Sequence, residues 1–170
     1  NAGAAMKKIT FKNFVIGLFL VASMALFAWY NMSRKTVLVL HSYATDYSWV
    51  RDVDLGINRV FKHQSLYSVR WYYMDTKRHP SADYKKSAGT AARSVIEKMQ
   101  PDIIIAVDDN AQAYATRYFL NHPKIKIIFT GVNNEARDYG FDKANNVTGL
   151  LERLPLGAIR VSPAMVISVG

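Results

Sequence analysis

The sequence predicts an α/β protein, a three-layer sandwich with a mostly parallel sheet, preceded by an N-terminal transmembrane or signal helix. Two observations support this prediction. Short runs rich in Val, Leu and Ile alternate with segments of helical spacing over residues 36–151, which is typical of right-handed βαβ units whose strands are buried on both faces. Ahead of them, residues 14–30 form an uncharged apolar run between two basic clusters.

The first half of the predicted α/β unit contains two strands and two helices. Residues 36–40 (TVLVL) are predicted to form a buried strand, and residues 68–74 a second one. Between them, residues 49–62 repeat apolar side chains at helical spacing. Another helix opens at Pro80 and Ser81 and extends to about Met99, with Ser81 as its N-cap.

The second half contains three strands and one helix. The strands are predicted at residues 103–107, 125–130 and 147–151. The helix is predicted at residues 110–121, with Asp108 or Asp109 near its N-terminus. A chain of 170 residues with 50% apolar composition is long enough for one domain with its own core, and too short for two full domains.

The apolar run at residues 14–30 is just long enough to span a bilayer, and Trp29 and Tyr30 stand where an interfacial aromatic belt would lie. Two interpretations stay open. A secretory signal peptide would use residues 23–25 (SMA) as a small-x-small cleavage site, whereas an uncleaved anchor would hold the chain on the membrane through residues 14–33. The basic charge is larger before the run than after it, so the N-terminus is expected in the cytoplasm and the remainder on the extracytoplasmic, periplasmic face of the inner membrane.

The net charge of +9 is concentrated beside this apolar run. Five of the basic residues flank it, namely Lys7, Lys8, Lys12, Arg34 and Lys35. From residue 36 onward the chain has 17 basic and 13 acidic residues, without a basic face, a recognition helix or a zinc finger. Nucleic acid is therefore not an expected partner. Because the chain has no cysteine, it contains no disulfide and no thiolate nucleophile.

Polar residues follow the first four predicted strands, at the point where each strand ends. In chain order the groups are His41-Ser42-Tyr43, Asp75-Thr76, Asp108-Asp109-Asn110 and residues 130–134 (TGVNN). Ligands of open parallel sheets bind outside the carboxyl ends of the strands, so we expect these loops to converge on one ligand-binding rim. Each residue by itself also has a structural explanation, because Asp and Asn cap helices and Gly131 suits a turn.

The sequence shows no signature of catalysis. It lacks the G-x-G-x-x-G, P-loop, G-x-S-x-G and H-E-x-x-H motifs. His41, Ser42 and one of the two aspartates could be combined into a triad, but nothing in their spacing requires it. The four histidines are scattered, so a metal site would depend on Asp108 and Asp109 alone. We expect a binding protein and not an enzyme, with no catalytic residue, metal or cofactor.

Five stretches resemble, in order, the first lobe of the ABC-transporter substrate-binding-like family: VLVLHSYATDYSW, YYMDTKRHP, PDIIIAVDDNAQAY, IIFTGVNN and NVTGLLE. The family includes periplasmic solute-binding proteins and the extracytoplasmic input domains of some histidine kinases and diguanylate cyclases, and the first two stretches look most like the sensor branch. The resemblance implies one lobe of a type I periplasmic-binding-protein-like fold. By position it implies that the cleft side is lined by His41, Ser42, Tyr43, Asp109, Asn110, Thr130, Gly131, Asn133 and Thr148.

The predicted organisation follows from the apolar run and from this resemblance. Residues 1–13 are interpreted as an expression scar and a basic n-region, residues 14–33 as the anchor or signal segment, residues 36–152 as lobe one, and residues 153–170 as a truncated crossover or the start of a second lobe. The resemblance implies a membrane-associated solute-binding protein of ABC-importer type, which takes a small polar metabolite or amino acid and meets an ABC permease. Two alternatives stay open: a ligand-sensing input lobe of a membrane signalling protein, and a ligand-free accessory subunit of a larger membrane complex.

Overall fold

The computed structural model describes residues 11–152, and the predictions for residues 1–10 and 153–170 lie outside the described residues. The predicted α/β class is confirmed. Five strands form one sheet in the order β2-β1-β3-β4-β5, and every neighbouring pair is parallel. The strands are β1 (Lys35–His41), β2 (Tyr67–Tyr73), β3 (Ile103–Val107), β4 (Lys126–Val132) and β5 (Val147–Leu151). Their carboxyl ends therefore share one edge of the sheet.

The N-terminal helix α1 (Phe11–Met32) is apolar and exposed along its whole length. Its 22 residues extend about 33 Å, close to the thickness of a bilayer core. In length and composition it is the one described helix able to cross a membrane, and a signal sequence near the N-terminus would pass the same test. The hydroxyl of Tyr30 donates to the Ser65 carbonyl at 3.3 Å, beside the amino end of β2.

The helices α2 (Ser48–Phe61) and α3 (Ala82–Met99) have bounds within one residue of the predicted ones. Ser81 is the N-cap of α3, and its hydroxyl accepts a hydrogen bond from the backbone N–H of Tyr84 at 3.3 Å. Such a bond satisfies one of the free N–H groups in the first turn of a helix.

The third helix of the α/β unit, α4 (Asp109–Tyr114), is much shorter than predicted. It ends at Tyr114 and a 3₁₀ turn (Thr116–Phe119) follows. The guanidinium of Arg93 donates to the Tyr114 carbonyl at 2.6 Å, and α3 approaches so closely that a Cβ on Gly89 would lie 2.6 Å from the same carbonyl oxygen. This tertiary packing, which helical spacing does not report, determines where α4 stops.

One face of the sheet, the closed face, packs against α3 and α4. Its main apolar cluster joins strand residues with helix residues: Leu38, Leu40, Ile104, Ala106, Ile127, Ala92, Ile96, Ala111 and Ala115. Near β5, two 3₁₀ helices (Ala136–Tyr139 and Phe141–Lys143) contribute Tyr139 and Phe141 to a second cluster with Phe129 and Val132. The elements predicted from the sequence do not include these two turns.

The opposite face, the open face, has only α2 to cover it among the described elements. Val37, Val39 and His41 of β1 are fully buried there, whereas Ile128 of β4 is 37% exposed and Leu150 of β5 is 74% exposed. The strand order explains why a single described helix covers the open face. The chain moves from β1 to β2 in one direction and from β2 through β3, β4 and β5 in the other, so right-handed crossovers put α2 alone on this face.

Candidate functional site

The loops after β1, β2, β3 and β4 meet at the carboxyl edge of the sheet, which we call the rim. Ser42 ties three of them together. Its hydroxyl donates to the Val107 carbonyl at 3.0 Å and accepts from the Ala111 N–H at 2.7 Å. Its own carbonyl accepts from both the N–H and the hydroxyl of Thr76, at 2.8 Å each. Because Ser42 is fully buried with its hydroxyl engaged, it positions the loops and does not present a group to solvent.

Asp108 follows β3 in a backbone conformation that only glycine adopts readily, with φ 72° and ψ 165°. Its N–H donates to the Thr130 carbonyl at 3.0 Å, and its carboxylate accepts from the Tyr43 hydroxyl at 2.9 Å. Burial raises the pKa of the Asp108 carboxyl, and the hydrogen bond from Tyr43 only partly opposes this. The pKa of the Tyr43 hydroxyl is also raised, first by burial and then by the charge of Asp108. Asp108 thus joins the ends of β1, β3 and β4.

Asp109 holds the loop that follows β4. Its carboxylate accepts from the backbone N–H of Asn133 at 3.1 Å, from that of Asn134 at 3.2 Å, and from the Tyr139 hydroxyl. Burial acts to raise the pKa of Asp109, but these hydrogen bonds outweigh it and hold the pKa below its usual value. The carboxylate is therefore ionised and already well supplied with donors.

Three aromatic residues form a strip along the rim, which we call the aromatic strip: Tyr47, Tyr43 and Trp49. The ring centroids of Tyr43 and Tyr47 are 5.8 Å apart, and those of Tyr43 and Trp49 are 6.1 Å apart. Trp49 lies directly over Gly131, where a Cβ would stand 2.7 Å from the indole Cζ2. Gly131 also has a φ of +64°, so this position requires glycine for conformation as well as for space.

A groove of about 250 Å³ opens beside the aromatic strip, on the open face of the sheet. Its lining residues come from α2, the end of β4 and the end of β5: Trp49, Val53, Thr130, Gly131, Leu150, Leu151 and Glu152. The register shift between β4 and β5 near Gly131 turns this part of β4 toward the groove, as bulges beside binding sites commonly do. The groove combines an aromatic wall, apolar side chains and a few polar groups, the composition typical of small-molecule sites.

Two of the residues predicted to line the site lie elsewhere. His41 is fully buried beneath α2 because it continues the Val37 and Val39 side of β1. Its Nε2 is 2.7 Å from a carboxylate oxygen of Asp54, whose other oxygen accepts from the Tyr73 hydroxyl at 2.7 Å. Burial lowers the pKa of His41 and the neighbouring Asp54 partly offsets this.

Thr148 is exposed on the open face, near the amino end of β5 and opposite Ile128. The structure thus brings together at the rim Tyr43, Asp109, Asn110, Thr130, Gly131 and Asn133, with Ser42 beneath them, and separates them from His41 and Thr148. Asn110 donates through its side-chain amide to the Thr76 hydroxyl at 3.0 Å, so it connects the loops after β2 and β3.

The set of residues predicted to line the cleft omitted Trp49, Asp108 and Leu150, although Asp108 was among the polar residues expected at the rim. Trp49 lies in the same stretch as Tyr43, and that proximity was the available signal. Leu150 had none, because only the neighbouring strands show that it faces a groove. Within residues 11–152, no group of three His, Asp or Glu side chains is placed to hold a metal ion.

The fold and the rim together define an all-parallel α/β domain with a groove at the carboxyl edge of its sheet. No protein-family model matches the sequence, and no curated protein matches it with significance.

Proposed function

We propose that this chain is an extracytoplasmic, membrane-associated solute-binding protein of ABC-importer type, whose rim takes a small polar metabolite or amino acid. The observation that supports this most is the convergence of four loops on the aromatic strip and its groove. The resemblance of five ordered stretches to the substrate-binding-like family favours the same class.

The hydrogen bonds beneath the rim favour binding because they hold the site rigid before a ligand arrives. Ser42, Asp108 and Asp109 each connect two or three loops. A site that is ordered in advance loses less conformational freedom when it binds, so more of the contact energy contributes to affinity. Trp49 offers the apolar surface, while Thr130 and Glu152 offer polar groups in the same groove.

In the proposed class, the described residues would be one of two lobes, and this sets the expected affinity. The groove contacts a ligand from one side and leaves its other side in water. Little apolar surface is then removed from water, while the cost of immobilising the ligand remains. We expect the isolated chain to bind its solute with a dissociation constant of about 1 mM or weaker. A second lobe closing over the rim would strengthen binding.

The binding experiment is a nuclear magnetic resonance titration of the detergent-solubilised chain with amino acids and small polar metabolites. A ligand of the groove shifts the indole N–H signal of Trp49 and leaves that of Trp71, under α2, unchanged. The variant Leu150→Gln places a polar group in the groove and should weaken binding about threefold or more. Leu66→Gln is the matched control, since Leu66 is also exposed but lies ahead of β2. If no solute shifts the Trp49 signal, the proposed function is wrong.

The proposed location rests on α1 and on the excess of basic residues before it. Because the chain has no cysteine, a single substitution gives a clean topology probe. Lys86 is exposed on α3, and we expect Lys86→Cys to react with a membrane-impermeant maleimide in spheroplasts. Reaction only after lysis would contradict an extracytoplasmic location. The N-terminal sequence of the native protein separates the two interpretations of α1, because cleavage of a signal peptide would leave a mature chain that begins at Leu26, whereas an anchor would be retained.

The two other functions predict different neighbours in the membrane. The exposed apolar residues Ile128 and Leu150 favour an accessory subunit whose open face is covered by a protein partner. The likeness of the first two stretches to sensor domains favours an input lobe. Crosslinking in native membranes distinguishes the candidates: a permease neighbour supports the importer, and a kinase or cyclase neighbour supports the sensor.

A further inference from the structure

Lys77, in the loop after β2, holds its ammonium against two rings of the aromatic strip. Its Nζ lies 5.0 Å from the ring centroid of Tyr43 and 4.8 Å from that of Tyr47. The side chain is exposed, and within residues 11–152 the ammonium has no hydrogen bond or ion pair. A lysine ammonium has three donors, so these ring contacts orient the charge and leave its N–H groups available.

The acidic groups around Lys77 are already matched by other partners. The Nε of Arg78 donates to both carboxylate oxygens of Asp75, at 2.8 and 3.0 Å. Its Nη2 lies 2.8 Å from Asp75 and its Nη1 lies 3.6 Å from Asp46. Asp108 accepts from Tyr43, and Asp109 accepts from the loop after β4. Because Arg78 is paired with Asp75, Lys77 is the cation of this loop whose ammonium has no ion-pair partner within residues 11–152 and can meet an anionic ligand.

The backbone just before Lys77 is held in place. Thr76 is fully buried and bonded twice to the Ser42 carbonyl, while the exposed side chain of Arg78, just after Lys77, pairs with the carboxylate of Asp75. A flexible side chain on a fixed backbone, with two rings to lie on, loses less freedom on binding than an ordinary surface lysine.

Lys77 is also connected to the groove through the aromatic strip. Its ammonium lies on Tyr43, the Tyr43 ring contacts Trp49, and Trp49 lines the groove over Gly131. A ligand with an anionic group at Lys77 would have its body along the aromatic surface and its far end in the groove. The Tyr43 ring is tilted by 52° to that of Tyr47 and by 56° to that of Trp49, and apolar or aromatic bodies pack on such rings in offset or edge-to-face contact.

We infer that Lys77 binds the carboxylate of the solute, and that the solute is a small carboxylic acid with an apolar or aromatic body lying along the aromatic strip. This inference rests on the proposed function, since it names the class of solute that the same rim takes. It adds a specificity-determining residue that lies outside the set predicted from the sequence.

The test compares three probes that share one body: 3-phenylpropionate, 3-phenylpropanamide and 3-phenylpropylamine. Each is titrated into the detergent-solubilised chain, with the Trp49 indole signal as the reporter. We expect the carboxylate to bind most tightly. The variant Lys77→Met keeps most of the side-chain volume and removes the charge, and should weaken carboxylate binding by about five- to tenfold.

Two further variants complete the design. Lys77→Arg keeps the charge and should retain carboxylate binding to within about threefold. Lys86→Met makes the same charge change at an exposed position on α3 and should leave binding unchanged. Raising the ionic strength should weaken carboxylate binding to the parent chain and have little effect on the amide.

The outcomes separate this inference from the proposed function. If the amide or the amine binds as tightly as the carboxylate, the rim still binds solutes but the carboxylate assignment is wrong. If the amine bound to Lys77→Met as tightly as the carboxylate binds to the parent chain, Lys77 would occupy an amine site and the carboxylate assignment would be wrong. If Lys77→Met and Lys86→Met lost the same carboxylate affinity, the loss would come from the overall charge of the chain, and the assignment to Lys77 would be wrong. If no solute of any class shifts the Trp49 signal, the proposed function fails and the inference fails with it.

Discussion

The helices α2 and α3 pack on opposite faces of the same sheet and differ in how many of their residues they bury against it. On the closed face, α3 buries Gly89, Ala92 and Ile96 and packs tightly against α4. On the open face, α2 fully buries only Val50 along its length. A parallel sheet is normally covered on both faces. The closed face therefore supplies most of the stability, and the less densely covered open face has room for the groove.

The two faces also differ in what they bury next to β1. Leu38 and Leu40 point into the closed face, where they belong to the main apolar cluster. His41 points beneath α2, where it meets Asp54 and the stacked ring of Tyr73. Buried polar pairs contribute less net stability than apolar contacts, since removing charges from water is costly. We expect α2 to open more easily than α3.

The largest effect should come from truncating matched isoleucines on the two faces. Ile104→Ala removes a fully buried side chain from the closed face and should lower the free energy of unfolding by about 3–4 kcal/mol. Ile128→Ala on the open face removes a side chain that is 37% exposed and should cost about 1 kcal/mol. Urea unfolding of the detergent-solubilised chain measures both. Equal losses would mean that the open face is as well packed as the closed one.

A matched pair of helix glycines should give effects of opposite sign. Gly89→Ala in α3 puts a Cβ 2.6 Å from the Tyr114 Cβ and carbonyl oxygen, and should cost about 2–3 kcal/mol because the backbone must shift. Gly56→Ala in α2 meets no atom within 4 Å and should stabilise by about 0.5–1 kcal/mol through helix propensity. The same unfolding curves report both. A neutral Gly89→Ala would contradict the close packing of α3 on α4.

The smallest effect concerns pH and arises under α2. Because burial lowers the pKa of His41 in the folded state, the unfolded chain binds the proton more readily as the pH falls. Stability should then decrease as the pH falls below the usual histidine pKa of about 6.5. One proton changes the unfolding free energy by at most about 1.4 kcal/mol per pH unit.

The variant His41→Phe should reduce this slope between about pH 7 and pH 5, whatever it does to stability at neutral pH. The pKa of Asp109 is lowered by its hydrogen bonds, so its own contribution is lost only below the usual aspartate pKa of about 3.9 and does not overlap this window. His63→Phe makes the same substitution at an exposed position and is the matched control. An unchanged slope in His41→Phe would show that His41 titrates normally in the folded chain.

Much of the fold could be predicted because local patterns agree with it. The bounds of β3 and β5 match the prediction residue for residue. Each is a short, mostly apolar run that is bounded by polar or turn-forming residues. Ser81 could be recognised as a cap because capping is a local hydrogen bond. The end of α4 could not be predicted, because it depends on Gly89 and Arg93, more than 20 positions away in the chain.

The candidate site was predictable only in part, for a related reason. A residue that follows a strand must lie at the carboxyl edge, which is why Tyr43, Asp109 and Asn133 lie at the rim. Whether a side chain faces solvent, a helix or a neighbouring loop depends on what packs there. His41 was predicted to follow the first strand, but it is the last residue of β1, and the register of that strand turns it under α2.

By itself, the sequence determined the order of strands and helices, the apolar N-terminal helix and the set of loops that gather at one edge. These features depend on hydrophobic periodicity, caps and turns, which act over a few residues. Only the tertiary structure decided which face stays open, which carboxylates already have partners, and that Lys77 lies on two tyrosine rings. Those properties arise from contacts between segments far apart in the chain, and no local pattern records them.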